Sequence, residues 1–273
     1  MSFGKFVFPI ERCETPLIDI GANLTHESFT DDFDQVVDRA SNANVKHMIV
    51  TGSDINDSKQ AIAIAEQHPE IFSATAGIHP HHADQFDHTT IGQLKTLLQH
   101  LKTVAVGETG LDFFRDISPR ESQIKSFQAH IELAAQLDMP MFLHQRESHD
   151  TFLSILSESR SKLGRVVVHC FTDTADALDD YLKLDCYIGI TGWICDERRG
   201  AHLLDCVSAI PLNRLMIETD APYLMPRNLR PKPKTRRNEP ATLPLVLEKI
   251  ASVRPESAAE IATATTHLSL IHI

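Results

Sequence analysis

Two histidines and two carboxylates in this sequence each follow a short apolar run, and their types suit a shared metal ion. Glu108 lies in GETGLD, His144 in FLHQRE, His169 in VHCF and Asp220 in IETDAP. Mixed nitrogen and oxygen ligands suit zinc, manganese, cobalt or iron and, with more carboxylate and water, magnesium. A carboxylate buried at the end of an apolar strand is costly unless it is paired or bound to metal, which favours a functional site.

These side chains belong to eight short apolar, β-branched segments that alternate with helical patterns. The segments are 17–24, 45–53, 72–80, 103–112, 140–147, 165–172, 186–193 and 214–222. Continuous apolar runs are typical of buried parallel strands, and strict alternation with helices implies right-handed crossovers. Eight units predict the α/β class and a single closed TIM (β/α)8 barrel, although periodicity alone also allows an open doubly wound sheet.

In a closed barrel the carboxyl ends of all strands surround one mouth, so residues far apart in sequence can bind one ion. Polar residues do end nearly every predicted strand. The third strand ends in GIHPHH, which adds His79 to the same rim together with His81 and His82. A lone histidine at such a position is more often a packed loop residue, but several at equivalent barrel positions favour a site.

Composition limits the function classes. The chain of 273 residues is 42% hydrophobic and 23% charged, which is ordinary for a globular protein. Its 26 basic and 37 acidic residues give a net charge of −11, which argues against a protein that coats nucleic acid with a broad basic surface. Five cysteines without CxxC spacing predict free thiols in a reducing compartment, the cytoplasm, and no apolar run is long enough to predict a membrane span.

The longest irregular stretch, residues 222–240, follows the eighth segment and contains five prolines, which forbid a continuous helix. Arg236 and Arg237 lie in this basic loop, which either is merely solvated or steers a polyanion toward the mouth. Arg146, Arg198 and Arg199, in other loops after strands, are further phosphate-binding candidates because a guanidinium can bind two phosphate oxygens. Trp193 and Tyr223 either stack on unpaired bases or pack.

Nine motifs, in order, resemble those of the TatD family of metal-dependent hydrolases across about residues 17–266. The motifs are DIGANLT, AGIHPH, GETGLDF, LHQR, VHCF, YIGITGW, DERRG, IETDAPYL and RRNEPA. The resemblance implies an amidohydrolase-type TIM barrel and divalent-metal-dependent 3′ to 5′ exonuclease activity on single-stranded DNA and RNA. It also implies that Glu108, His144, His169 and Asp220 bind the metal, and that His79 lies on the substrate side.

One departure from most of the family concerns the first strand, where an HxH pair is replaced by Gly21 and Asn23. Glycine cannot bind a metal and asparagine offers only a neutral oxygen, so the softer site that two imidazoles support is weakened. The replacement is typical of the TatD subgroup. We therefore expect Mg²⁺, with Mn²⁺ or Zn²⁺ as alternatives, and we assign Asn23 to substrate binding.

The expected mechanism is attack of a metal-bound water on the scissile phosphate. Asp220 would orient or deprotonate that water, Glu108 would act with the metal, and His79 would contact the phosphate or protonate the leaving oxygen. Two alternatives stay open: an amidohydrolase or esterase acting on a small substrate, and a non-catalytic barrel that serves as a binding partner. We expect a monomer that makes no membrane contact.

The two ends of the chain are expected to lie outside the barrel domain of residues 17–267. Residues 1–16 form an N-terminal extension, and residues 268–273, LSLIHI, form a short apolar, β-like tail. The tail matches, codon for codon, the translation of CTGTCTCTTATACACATC, a transposon end used in sequencing libraries. We therefore predict a non-native tail with few specific contacts, and the alternative is a genuine short terminus.

Overall fold

The computed structural model describes residues 10–272, and its eight parallel strands form one sheet in sequence order, β1 to β8. The strands are β1 Leu17–Ala22, β2 Val45–Val50, β3 Phe72–Ala76, β4 Thr103–Asp112, β5 Met141–Arg146, β6 Val166–Val168, β7 Tyr187–Ile190 and β8 Leu215–Ile217. All eight predicted segments therefore contain a strand. The polar residues of the motifs lie at the carboxyl ends of the strands. Some, such as Glu108 and His144, are inside a strand, and others, such as His169, follow directly after one.

The first and last strands meet, which closes the barrel. The backbone N–H of Asn23 donates to the carbonyl of Ala221 at 2.7 Å, and that of Asp220 donates to Gly21 at 2.9 Å. Ala22 and Ala221 form a parallel bridge. The closed TIM barrel is confirmed, and the open doubly wound sheet is excluded.

Helices follow the strands and cover the barrel with their apolar faces. They are α1 Phe33–Asn42, α2 Ile55–Gln67, α3 Thr90–Leu98, α4 Arg120–Leu137, α5 His149–Ser159, α6 Ala175–Lys183, α7 Leu203–Ala209, α8 Leu243–Ala251 and α9 Ala258–His272. Helix α7 begins only at Leu203, because the backbone N–H groups of Arg198 and Arg199 bond to the Asp196 side chain in a turn. Across residues 10–272, every helix is too short or too polar to traverse a lipid bilayer.

The C-terminal segment continues α9 as a helix, so the prediction of a β-like tail is wrong. Leu268 is buried in a small apolar cluster with Ile18, Phe142 and Met216. Ser269 is buried as well, and its hydroxyl donates to the carbonyl of Thr265 at 2.8 Å. These contacts contradict the expected lack of specific contacts at the start of the tail. Its foreign origin stays a prediction, and residue 273 lies outside the described part.

Candidate active site

One oxygen of Glu108 gathers three histidines at the barrel mouth. Oε1 lies 2.8 Å from Nε2 of His169, 3.0 Å from Nδ1 of His144 and 3.3 Å from Nε2 of His79. These residues come from β4, β5 and the loops after β6 and β3, and all four side chains are largely buried. The convergence predicted from the strand ends is therefore present for these four residues.

Two glycines in β4 let Glu108 approach the neighbouring strand. Gly107 and Gly110 have φ angles of 150° and 139°, a region that residues with a Cβ rarely adopt. A Cβ at either position would collide with the β5 backbone, at the carbonyls of Phe142 and His144 respectively. The glycines of GETG thus allow the close packing that places Glu108 beside His144.

A second carboxylate lies behind His169. Oε2 of Glu218 is 3.3 Å from Nδ1 of His169, while its Oε1 accepts a hydrogen bond from the backbone N–H of Cys170 at 2.5 Å. Glu218 is fully buried. A histidine that turns one nitrogen to the centre of a site and the other to a carboxylate has the arrangement typical of metal ligands.

The position of the Glu218 side chain explains why the first-strand motif has glycine at position 21. A Cβ on Gly21 would lie 2.5 Å from Oε2 of Glu218, and one on Gly189 would lie 2.6 Å from Oε1. Real Cβ atoms do not approach so closely. Glu218 therefore occupies the volume that a histidine side chain at position 21 would need.

His144 has an equivalent neighbour in Asp112. Its Nε2 is 3.4 Å from Oδ2 of Asp112, which also lies 2.8 Å from Nε2 of His81. The other oxygen of Asp112 accepts from the backbone N–H groups of Phe114 and Arg115. Asp112 thus ties the histidine cluster to the loop that follows β4.

Asp220 and Asn23 lie side by side where the last strand meets the first. The Asn23 amide donates to Oδ1 of Asp220 at 2.9 Å. Asn23, which the sequence assigns to substrate binding, thus contacts a predicted metal ligand in this structure. Burial, together with the charges of Glu108 and Glu218, raises the pKa of Asp220 to about 7, although His169 acts in the opposite direction.

Glu108 and His169 each stabilise the charged form of the other. Burial alone would raise the pKa of Glu108, but His169, His79 and the hydrogen bond from His144 hold it well below its ordinary value. Burial lowers the pKa of His169, yet Glu108 and Glu218 outweigh it and raise that pKa well above normal. The pKa of His79 falls to about 4, because burial outweighs its contact with Glu108.

The donor set fits a divalent metal ion. Within the described residues, ligand atoms of His79, Glu108 and His144 lie within 4.8 Å of one another. Nε2 of His144 is buried and, in residues 10–272, makes no hydrogen bond beyond its 3.4 Å ion-pair contact with Asp112. Two imidazoles and a carboxylate suit such an ion. His79, predicted on the substrate side, belongs to this group, whereas His169 adjoins it through Glu108.

The predicted cationic residues differ in their surroundings. Arg146 lies over the rings of Phe114 and Trp193, and Arg199 donates to Asp196 at 2.8 Å. Arg198 is exposed in the same turn as Arg199. The Arg146 guanidinium therefore lies at the carboxyl end of β5, and those of Arg198 and Arg199 lie in the loop after β7, at the mouth.

Two adjacent arginines of the last loop, Arg236 and Arg237, have different surroundings. Arg236 is exposed and lines a cavity of about 240 Å³ in that loop. Arg237 instead donates to both oxygens of Asp32, at 2.7 and 2.8 Å, and to Glu239 at 2.7 Å. Arg39 binds the same two carboxylates. Arg237 therefore anchors the loop, and the structure gives its guanidinium protein partners rather than open solvent.

Comparison with known proteins agrees with this geometry. The family described as TatD related DNase matches residues 18–270. The chain belongs to the TatD related DNase family. As a family member it is a hydrolytic nuclease with a fold that implies divalent metal use.

Two relatives illustrate the similarity. The protein named 3′-5′ ssDNA/RNA exonuclease TatD from Erwinia tasmaniensis is 47% identical over 249 residues, covering 91% of this chain and 96% of the relative. The protein of that name from Edwardsiella piscicida is 48% identical over 242 residues, covering 89% and 93%. Among solved structures, YJJV, a TatD homologue from Escherichia coli K12, superposes with a TM-score of 0.86 at 28% identity, covering 94% of this chain and 97% of that chain.

Sequence reasoning missed several residues of the TatD site. Glu218 and Asp112 lie inside the quoted motifs IETDAP and GETGLD, but the motifs were interpreted only through Asp220 and Glu108. His130 of α4 was also missed: its Nε2 accepts from the backbone N–H of Ile78 at 3.0 Å, next to His79. The signal available for it was a histidine at a core-facing position of α4, beside Phe127, Ile131 and Ala134.

Proposed function

We propose that this TatD-family chain is a divalent-metal-dependent exonuclease that digests single-stranded DNA and RNA from the 3′ end. The observation that carries the proposal is the contact of Glu108 Oε1 with His79, His144 and His169 at one barrel mouth. The names of relatives 47% and 48% identical support the substrate and the polarity. Trimming of 3′ ends would suit a role in DNA repair.

Glu108, His144, His169 and Asp220 would hold the metal, for which we propose Mg²⁺, with Mn²⁺ or Zn²⁺ as alternatives. Gly21 supports the harder ion, because this position offers no imidazole and Glu218 fills its space. When bound, such an ion supplies positive charge to the phosphate and lowers the pKa of a bound water. The carboxylates behind the histidines, Glu218 and Asp112, would fix the ring orientations.

The remaining steps belong to side chains of this chain. Asp220, held by the Asn23 amide at 2.9 Å, would accept the proton of the attacking water. Its position at the junction of β8 and β1 is set by backbone hydrogen bonds to Gly21. His79, beside Glu108, would contact the phosphate or the leaving oxygen. Asn23 would act on the substrate only through Asp220.

The phosphate backbone would meet the cations of the mouth. Arg146 at the end of β5, Arg198 and Arg199 in the loop after β7, and Arg236 in the loop after β8 would attract a nucleic-acid strand despite the net negative charge. Arg237 would contribute indirectly by anchoring the last loop through Asp32.

All five cysteines are free thiols, as predicted, which supports a reducing compartment, the cytoplasm. The site residues named above all come from one chain, and we propose a monomer.

The decisive experiment compares the wild-type protein with Glu108→Ala on 5′-labelled single strands of DNA and RNA, and on a blunt duplex. Each reaction contains Mg²⁺, Mn²⁺, Zn²⁺ or excess chelator. Glu66→Ala is the matched control, because Glu66 is an exposed carboxylate of α2 that contacts only His100 among the described ion pairs. We expect shortening ladders from wild type and the control, and a loss of about a hundredfold or more in Glu108→Ala. Undiminished digestion by Glu108→Ala would contradict the proposal.

A further inference from the structure

Three of the five exposed large apolar side chains of the described residues lie at the barrel mouth. In the loop after β4, Phe114 is 51% exposed and Ile117 is 61% exposed. Tyr223, in the loop after β8, is 52% exposed. Large apolar groups at the rim of a polar site commonly mark a binding surface. The chemistry of the metal cluster does not require them.

Phe114 begins a ladder of alternating rings and guanidinium groups. Arg146 lies 4.3 Å from the Phe114 ring centroid and 5.3 Å from that of Trp193, and Arg199 lies 4.4 Å from Trp193. We call Phe114, Arg146, Trp193 and Arg199 the mouth platform. All three cation-to-ring distances are short enough for cation–π attraction. The platform thus joins the end of β5 to the loops after β4 and β7.

Both ends of the mouth platform are held by carboxylates. The Phe114 backbone N–H donates to Oδ1 of Asp112 at 3.0 Å, and Arg199 Nε donates to Oδ2 of Asp196 at 2.8 Å. Arg227, from the last loop, also reaches Asp196, at 3.1 Å. These bonds order the platform before any ligand binds, which lowers the entropic cost of binding.

The mouth platform adjoins the metal cluster. Arg146 follows His144 by two residues in β5, so their side chains leave the strand on the same side. Asp112, which holds Phe114, also lies 3.4 Å from Nε2 of His144. A single-stranded nucleic acid whose cleaved phosphate lies at the metal cluster would therefore bring its next base or phosphate to the mouth platform.

We propose that the mouth platform binds an unpaired nucleobase beside the phosphate that is cleaved, with the base against Phe114 and the neighbouring phosphate on Arg146. This inference rests on the proposed function and deepens it. Aromatic rings accept any base by stacking, whereas the bases of a duplex are already stacked and paired. The platform therefore selects single strands without selecting a sequence.

The test measures binding rather than turnover, so it is independent of the metal chemistry. Glu108→Ala serves as the background, and fluorescence anisotropy compares a labelled single strand with one of equal length carrying abasic residues at its three 3′ positions. Adding Phe114→Ala should weaken binding of the natural strand by about tenfold and thereby reduce its preference over the abasic strand. Phe114→Trp should restore that preference, because it restores the ring.

Leu101→Ala is the matched control, since Leu101 is an exposed apolar residue just before β4, at the opposite end of the barrel from the mouth. It should leave the affinity for both strands unchanged. Equal weakening of both strands by Phe114→Ala, or equal effects of Phe114→Ala and Leu101→Ala, would overturn the platform as a base-binding site. Failure of the wild type to digest any single strand would instead overturn the proposed function, and the binding result would still decide the role of the platform.

Discussion

Glu218 lies directly behind His169, with Oε2 3.3 Å from Nδ1 of the ring. The opposite ring nitrogen, Nε2, is 2.8 Å from Glu108. The two carboxylates thus determine the ring orientation from both sides. Because Glu218 is fully buried and Gly21 and Gly189 make space for it, this arrangement is built into the barrel wall. Glu218 is a positioning residue for His169.

Removing Glu218 should weaken metal binding without removing a ligand. We expect Glu218→Ala to lower the affinity for Mn²⁺ alone by about 10- to 100-fold, because partners behind metal-binding histidines contribute on that scale. Glu218→Gln should lose less, since its amide oxygen can still accept from Nδ1. Isothermal titration with Mn²⁺ measures the affinity, and circular dichroism checks the fold. Wild-type affinity in folded Glu218→Ala would refute the positioning role.

Asp220→Asn should separate metal binding from turnover. An asparagine oxygen can still bind a metal weakly, but the amide cannot accept the proton of a water. We expect Mn²⁺ affinity to fall by about tenfold or less and kcat on single-stranded DNA by about a hundredfold or more. Titration and single-turnover kinetics on one preparation give both values. Equal losses of affinity and kcat would remove Asp220 from its role as the base.

The barrel was predictable from the sequence because the patterns that indicate strands and helices span only a few neighbouring residues. The pairing of the first strand with the last follows from the number of strand–helix units, which is eight. The convergence on Glu108 was predictable for the same reason, since a barrel brings all strand ends to one mouth. The carboxylates behind the histidines were not, because the pairing of Glu218 with His169 depends on side-chain packing across 49 positions. Likewise, the sequence shows that Arg236 and Arg237 are adjacent cations, but not that Arg237 binds Asp32 and Glu239 while Arg236 stays exposed.

His130 should make stability depend on pH. Burial lowers its pKa to about 4, partly offset by the carbonyl of Ser126, so the folded ring is neutral. Between about pH 4 and 6.5 the unfolded chain binds a proton that the folded chain excludes. Its contribution is therefore complete above about pH 6.5, and up to about 3 kcal/mol is lost as the pH falls toward 4.

Urea unfolding of wild type and His130→Gln from pH 5 to 7.5 measures this effect. Other histidines titrate in both proteins, so the difference between the two curves isolates His130. In the variant, the fall in unfolding free energy on acidification should be smaller by up to about 1.4 kcal/mol per pH unit. Parallel curves would show that folding does not lower the pKa of His130.

The adjacent arginines of the last loop should respond oppositely to neutralisation. Arg236 is exposed, whereas Arg237 binds Asp32 and Glu239, so Arg236→Gln should weaken single-strand binding and Arg237→Gln should lower stability. In Glu108→Ala backgrounds, the slope of log affinity against log salt should decrease by about 0.7 for Arg236→Gln, since one fewer phosphate is neutralised. Arg237→Gln leaves the buried Glu239 and the partly exposed Asp32 with only Arg39 as a cationic partner and should lower the melting temperature by several degrees. Anisotropy titrations from low to high salt measure the salt slope of both variants, and thermal melts measure their melting temperatures. The control is Lys59→Gln, because Lys59 is an exposed cation of α2. An Arg236→Gln protein with the wild-type salt slope would show that this arginine is merely solvated.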